Sequence, residues 1–178
     1  MILQFDNFEI QPIKETDFWK ICDLMVVNQD RFKSYFPGTL AENLTPDLSK
    51  LFCEKKVKQF SKKEEFLFPL KDSETRELAG LIYIKELDWT KKQGEFAYCL
   101  GSNFSGKSLM TKAVKELSKL AFAELGLETL QIIVFKENLP SVNVALNNEF
   151  VWHKTLLNEF IPPNSAPLDM ELYELYKD

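Results

Sequence analysis

The segment Phe96–Thr111 constrains this chain more than any other. An apolar run, Phe96-Ala97-Tyr98-Cys99-Leu100, passes through the small-residue stretch Gly101-Ser102-Asn103-Phe104-Ser105-Gly106 into a helical pattern. Over Gly106–Leu125, residues Leu109, Met110, Ala113, Val114, Leu117, Leu120 and Ala121 recur at helical spacing as one apolar stripe. Lys107, Lys112, Lys115 and Lys119 line the opposite side, and Gly126 supplies a stop. Thr129–Phe135 follows as a near-continuous apolar strand, the pattern of one buried on both faces. A helix that opens directly from a Gly/Ser turn leaves its first N–H groups unpaired beside backbone that an anion can approach closely. The segment therefore carries both an architectural and a chemical expectation.

The remaining elements read around it. Phe8–Ile13 alternates as a short strand that Pro12 places at an edge or strand end. Thr16 reads as the N-cap of a helix to about Asn28, with Phe18, Ile21, Cys22 and Met25 inward. Phe32–Pro46 mixes aromatics with Pro37-Gly38 and Pro46, and is expected to turn across the surface of the core. A second helix is expected over Asp47–Phe60 with Leu48, Leu51, Phe52 and Phe60 inward. Its other face, Lys55, Lys56 and Lys58 with Lys62 and Lys63 beyond, is interleaved with Glu54, Glu64 and Glu65. It reads as solvated, with a small anionic ligand as the alternative. Glu65–Leu70, Glu77–Leu87 and Glu95–Leu100 read as an antiparallel meander. Leu139–Asn148 reads as a helix, and Trp152–Ile161 and Leu168–Tyr176 as closing strands around Pro162-Pro163. The order β-α-α-β-β-β-α-β-α-β-β makes a mixed α/β sheet in one domain spanning 1–178.

Composition narrows the function classes. The chain has 178 residues, 45% of them apolar, enough for a substantial core. Its net charge of −5 argues against a nucleic-acid or membrane-surface binder, which wants a basic face. No apolar run approaches the ~20 residues that span a bilayer. The N-terminus lacks a basic region followed by an apolar one, so a cytoplasmic protein is expected. Cys22, Cys53 and Cys99 form no C-x-x-C pair, and one histidine cannot build a His-rich zinc site, so no metal is expected. The cysteines read as reduced packing residues, with a Cys99–His153 nucleophile–base pair as a weak alternative. His153, beside Trp152, reads as a packed histidine.

Gly101-Ser102-Asn103-Phe104-Ser105-Gly106-Lys107-Ser108 satisfies the phosphate-loop pattern G-x-x-x-x-G-K-[ST] letter for letter. In a nucleoside triphosphatase that loop follows a first parallel strand, and an acidic strand further on holds magnesium. Here a meander precedes it, and Gln131–Phe135 ends in Lys136. The context does not fit.

The same segment resembles the acyl-CoA pyrophosphate loop of the GNAT acetyltransferase superfamily, most closely the subgroup of ribosomal-protein N-terminal acetyltransferases and their small-molecule-acetylating relatives. In that family a strand G-Y-x-L leads into (Q/R/W)-G-x-G-x-(A/G/M). Tyr98-Cys99-Leu100 fits the strand and Ser105-Gly106-Lys107-Ser108-Leu109-Met110 the loop, with Ser105 for the larger first residue and Ser108 for the second glycine. Ser108 is expected in the first helical turn, where serine costs little. A second motif, N-x-x-S followed eight residues later by G-F, matches Asn138-Leu139-Pro140-Ser141 and Glu149-Phe150, with Glu149 for the glycine. The order and spacing of the two motifs are more specific than either alone.

The resemblance implies a mixed, mostly antiparallel sheet flanked by about four helices, and direct transfer of an acetyl group from acetyl-CoA to an amine. It implies acetyl-CoA contacts from Tyr98, Leu100, Ser105, Gly106, Lys107, Ser108, Leu109, Met110, Thr111 and Asn138. Ser141 is then the candidate acid for the leaving thiolate. For a base, Glu95 on the central strand is the first choice, with a plain solvent-facing carboxylate as the other reading. Phe32, Tyr35 and Phe36 would line the acceptor pocket or seal the core under the first helix. The acceptor would be a small-molecule or peptide amine, and the protein a monomer or homodimer. The competing reading is a degenerate GNAT-fold domain serving as an acyl-CoA sensor or protein-interaction module, which Ser108 and Glu149 favour.

Overall fold

The computed structural model describes residues 2–178. Eight strands, β1 (Leu3–Phe5), β2 (Phe8–Ile10), β3 (Phe66–Asp72), β4 (Leu78–Asp88), β5 (Gln93–Leu100), β6 (Thr129–Val134), β7 (Val151–Phe160) and β8 (Leu168–Tyr176), form one sheet in the order β1-β2-β3-β4-β5-β6-β8-β7. The helices are α1 (Phe18–Val27), α2 (Gln29–Phe32), α3 (Pro37–Ala41), α4 (Pro46–Ser61), α5 (Leu109–Leu120) and α6 (Leu139–Asn147). β5 and β6 pair in parallel, while β1–β2, β2–β3, β6–β8 and β7–β8 are antiparallel. The expected mixed, mostly antiparallel sheet is the one observed, with β1 and the short helices α2 and α3 added. The chain divides into two compact units, one ending at Tyr83 and resuming over Tyr98–Lys107, the other made of Ile84–Ala97 and Ser108–Asp178. Strands β4 and β5 each run through both.

In the first unit, α4 starts as its sequence dictates. Pro46 occupies the first helical position, and the Thr45 hydroxyl accepts the Leu48 N–H at 3.3 Å. Its buried face is the expected one in part: Phe52 is buried and Phe60 packs on Phe66 and Phe68, but Leu48 and Leu51 face out. Ser49, Phe52, Cys53 and Lys56 point inward, whereas Leu48 and Leu51 are 41% and 63% exposed. Lys56 leaves the solvated lysine face because Glu65 meets its ammonium there, and the rings of Phe52 and Tyr83 lie 5.5 and 5.3 Å from Nζ. Phe60, Phe66 and Phe68 pack edge to face at 4.9 and 5.3 Å. Thr16 is not a cap. A single 3-10 turn over Glu15–Asp17 precedes α1, and Asp17 accepts the Lys14 N–H at 2.9 Å while pairing with buried Lys71 at 2.6 Å.

In the second unit, α5 buries Leu109, Met110, Ala113, Val114, Leu117 and Leu120, as its stripe requires. It begins at Leu109 rather than Gly106, and widens into a π turn over Ala121–Leu125 before Gly126 at φ 75°. β6 is not buried on both faces. Leu130, Ile132 and Val134 are covered, while Thr129, Gln131 and Ile133 are half-exposed. Gln131 belongs to a polar row, accepting from Gln93 at 3.1 Å and donating to Glu174 at 2.7 Å.

Candidate active site

The sequence-predicted residues fall along both units. In the first, β5 ends at Leu100 and its continuation is fixed by backbone and side-chain bonds. Gly101 N–H donates to the Ala79 carbonyl at 2.8 Å, and Ser102 N–H donates to Asn28 Oδ1 at 3.0 Å. Asn28 is itself held by donating to the Leu24 carbonyl at 2.9 Å, so the end of α1 anchors the approach to the loop. The sequence reads Asn28 as a helix end and as the start of an Asn28–Pro37 stretch resembling the family's substrate-side region, not as an anchor for the loop after β5. Its type, an amide closing a helix, was the available signal. Ser105 and Lys107 are exposed, Tyr98 and Leu100 half-buried. The Lys107 ammonium lies 5.8 Å from the ring centroid of buried Phe104. Gly106 has φ 76°, and a Cβ built on it would meet nothing within 4 Å. Glycine is needed there for backbone conformation, not for space.

In the second unit, Ser108 is the residue before the first turn of α5, with φ 54° and ψ 20°. This corrects the expectation that it lies within that turn. Its carbonyl accepts the Lys112 N–H at 3.1 Å, while its side chain makes no cap hydrogen bond. The N–H groups of Leu109, Met110 and Thr111 precede the first intrahelical donor and point out of the helix end. Leu109 and Met110 bury their side chains, so any ligand contact from them is through these N–H groups. Two left-handed residues, Gly106 and Ser108, thus directly precede this helix N-terminus, and unpaired N–H groups at a helix start suit an anion.

Pairing of β5 with β6 runs from Gln93↔Thr129 to Phe96↔Ile132 and stops there, although β5 goes on to Leu100 and β6 to Val134. Beyond that point, the β6-facing backbone groups of β5 have no place in the β6 ladder. Glu95 sits one residue before the divergence. Its side chain is 14% exposed, and Lys85 Nζ lies 3.1 Å from its carboxylate. Burial raises its pKa, and the Lys85 charge and hydrogen bond oppose the rise. It is not a plain solvent-facing carboxylate. Lys85, on β4, was not singled out from sequence because nothing local marks a cross-strand counterion.

The second motif forms α6. Asn138 precedes the helix with no side-chain cap bond, Pro140 is within its first turn, and half-buried Ser141 follows. At the other end, Phe150 N–H donates to the Ala145 carbonyl and Glu149 N–H to the Leu146 carbonyl, both at 3.1 Å, with Glu149 at φ 64°. This is the paired-bond helix ending that usually places glycine in the left-handed position. Phe150 then packs its buried ring against Phe96 at 6.4 Å. The spacing of the motif's last two residues is thus a helix stop and its hydrophobic anchor. Asn148, also unflagged by the sequence, donates to the carbonyls of Val144 at 2.9 Å and Thr111 at 3.0 Å, tying α6 to the first turn of α5.

Of the acceptor candidates, Phe32 is 4% exposed and belongs to the core. Tyr35 is 44% exposed, and Phe36 is half-buried with its ring 6.1 Å from that of Tyr83. All three cysteines are free and buried, and burial pushes the thiols of Cys53 and Cys99 up to about 12. His153 is not packed. Its side chain is 51% exposed, with Nδ1 3.7 Å from Glu174.

Residues 7–151 match the acetyltransferase (GNAT) domain family. The chain belongs to that family. It is 31% identical to the spermidine N(1)-acetyltransferase of Escherichia coli K12 over 84 residues, 47% of this chain and 45% of that protein. The matched stretches amount to about half the length of the curated relatives. Among solved structures, the ribosomal-protein-S5-alanine acetyltransferase of Vibrio fischeri superposes with a TM-score of 0.93 at 20% identity, over 100% of this chain and 97% of that one. A ribosomal L7/L12 alpha-N-protein acetyltransferase in complex with coenzyme A gives 0.92 at 14% identity, over 100% and 99%. At these identities the likeness is one of fold. Among the described residues no helix is long and apolar enough to cross a membrane.

Proposed function

We propose that this GNAT domain, taken as 1–178, transfers an acetyl group from acetyl-CoA to a primary amine, either a protein N-terminal α-amine or a small-molecule amine. The observation that carries the reading is the pair of left-handed residues, Gly106 and Ser108, that immediately precedes the uncapped N–H groups of α5. Such a turn fits a pyrophosphate, and Lys107 adds a counter-charge. Ser105, Gly106 and Ser108, with the N–H groups of Leu109, Met110 and Thr111, would hold that group. Tyr98, Leu100 and Asn138 would flank the rest of the ligand.

Bound acetyl-CoA supplies the acetyl group as an activated thioester. The chain's residues do the rest. Backbone N–H groups of β5 beyond its divergence from β6 donate to the thioester oxygen as it gains charge. Glu95, directly or through one water, takes a proton from the attacking amine, and its raised pKa suits that task. Ser141, in the first turn of α6 where the helix end is positive, gives a proton to the departing sulfur. Tyr35 and Phe36 are the acceptor-side candidates; Phe32 supports them from the core. An α-amino group titrates near ~8 against ~10.4 for lysine, so a peptide N-terminus or small amine asks less of the base.

Calorimetric titration with acetyl-CoA, with CoA and ATP–magnesium as comparators, tests the ligand. Saturable acetyl-CoA binding with no response to ATP is expected. In Ser141→Ala, turnover should fall about tenfold or more with acetyl-CoA affinity kept. Unchanged turnover removes Ser141 from the mechanism, and saturable binding with no turnover on any amine favours the acyl-CoA sensor.

A further inference from the structure

We propose, on the reading of Glu95 as the base, that Lys85 is its positioning residue: the ammonium keeps the Glu95 carboxylate ionised and held in place at neutral pH. Both residues belong to the second unit, Lys85 on β4 and Glu95 on β5. Lys85 Nζ stands 3.1 Å from Glu95 Oε1, and the Glu95 side chain is 14% exposed. A carboxylate taken that far out of water must be met by a cation or give up its charge.

The surroundings sharpen that need. Burial is the largest influence raising the Glu95 pKa; the charge and hydrogen bond of Lys85 oppose it, and the charges of Glu86 on β4 and Glu159 on β7 add to it. Across the sheet, Glu95 is the register partner of Gln131, and Gln131 that of Glu174. Register partners share a face, so Glu174 lies two strands from Glu95, about 9–10 Å away. The Gln131 amide brings no charge and is engaged on both sides, accepting from Gln93 and donating to Glu174. β6 and β8 carry no basic residue, and the His153 of β7 is set against Glu174. Lys154 follows opposite Leu172 and is exposed. Without Lys85, Glu95 would be left with burial and like charges, and would take up a proton at higher pH. A base disabled in that way fails first on the acid side.

Carbon-detected NMR of the side-chain carboxyls on the full chain follows Glu95 through a pH titration with no substrate present, and Glu95→Gln assigns its signal. In Lys85→Met and Lys85→Gln the Glu95 midpoint should rise by about one pH unit or more, while Lys85→Arg, which keeps the charge, should stay near the wild type. Thermal melts check that each variant folds, and two neutral variants guard against the loss of one. An unmoved midpoint in a folded neutral variant overturns the proposal. Kinetics then test the reading beneath it, with acetyl-CoA and either a tripeptide bearing a free α-amine or spermidine as acceptor. The acid limb of kcat/KM should move up with the midpoint, so the neutral variants lose about tenfold on the acid side and little at alkaline pH. A loss of equal size at every pH assigns Lys85 to the fold alone and overturns its positioning role. A midpoint that moves while Glu95→Gln keeps full turnover overturns the reading of Glu95 as base, and this role of Lys85 with it.

Discussion

Two positions at which the family's motifs carry glycine hold side chains here, and both lie in the left-handed region: Ser108 at φ 54° and Glu149 at φ 64°. The geometry has been kept where the residue that suits it has not. A residue with a Cβ costs roughly 1–2 kcal/mol there. Ser108→Gly should therefore raise stability by about 1 kcal/mol, offset in part by the freer unfolded chain, or ~2–4 °C in Tm for a domain this size. Acetyl-CoA binding should not tighten, since the backbone strain is the same with and without ligand and the serine hydroxyl is lost. Differential scanning calorimetry and ligand titration check the two effects, and a lower Tm would mean that the serine hydroxyl makes a compensating bond. The motifs were legible because spacing survives substitution. The strain was not, because a shift of the helix start by one residue decides whether Ser108 is αR or αL, and that depends on what α5 packs against.

At the scale of elements, α5 was read correctly because twelve residues of 3.6 periodicity leave one way to bury the stripe. α4 was read only in part, because the apolar letters Leu48 and Leu51 lie off the face that holds Phe52 and Cys53. That face admits Lys56 only because Glu65 and two rings receive it. Removing one partner strands a buried charge, so Lys56→Ala should destabilise by about 3–5 kcal/mol. Lys56→Met combined with Glu65→Leu should recover most of that loss, since a buried pair replaced by apolar volume is often neutral. Urea denaturation of the single and double variants measures the difference; equal losses in both would show that Glu65 does not answer Lys56. α2, α3 and β1, of four, five and three residues, are shorter than any window in which periodicity can be counted.

At the scale of the whole molecule, stability against pH sums opposing contributions. The carboxyls of Asp72 and Asp88, bonded by loop N–H groups, and of Glu128, beside Lys92, are held below their usual values. Each adds stability above its unfolded pKa and loses it on acidification. Glu95 runs the other way. Burial raises its pKa, so the ionised form burdens the fold at neutral pH, and the burden lifts as pH falls through the raised value. Glu95→Gln should melt higher than the wild type at pH 7, with the gap closing on acidification and gone below the usual glutamate range near ~4.3. Melting curves across that range check it, and a gap that widens toward acid would contradict the sign. In the proposed role of base, Glu95 would weaken the fold it serves, the expected cost of a buried carboxylate kept for chemistry. What the sequence by itself determined was local: the α5 stripe, its glycine-bearing turn, the second motif and the mixed sheet class, because periodicity and turn chemistry act over a few residues. Only the tertiary structure decided that Lys56 is buried, that Glu95 is desolvated beside Lys85, that Asn28 and Asn148 tie distant segments, and that β7 lies bare at an edge. Each depends on which segments become neighbours, and burial and field are properties of neighbours rather than of letters.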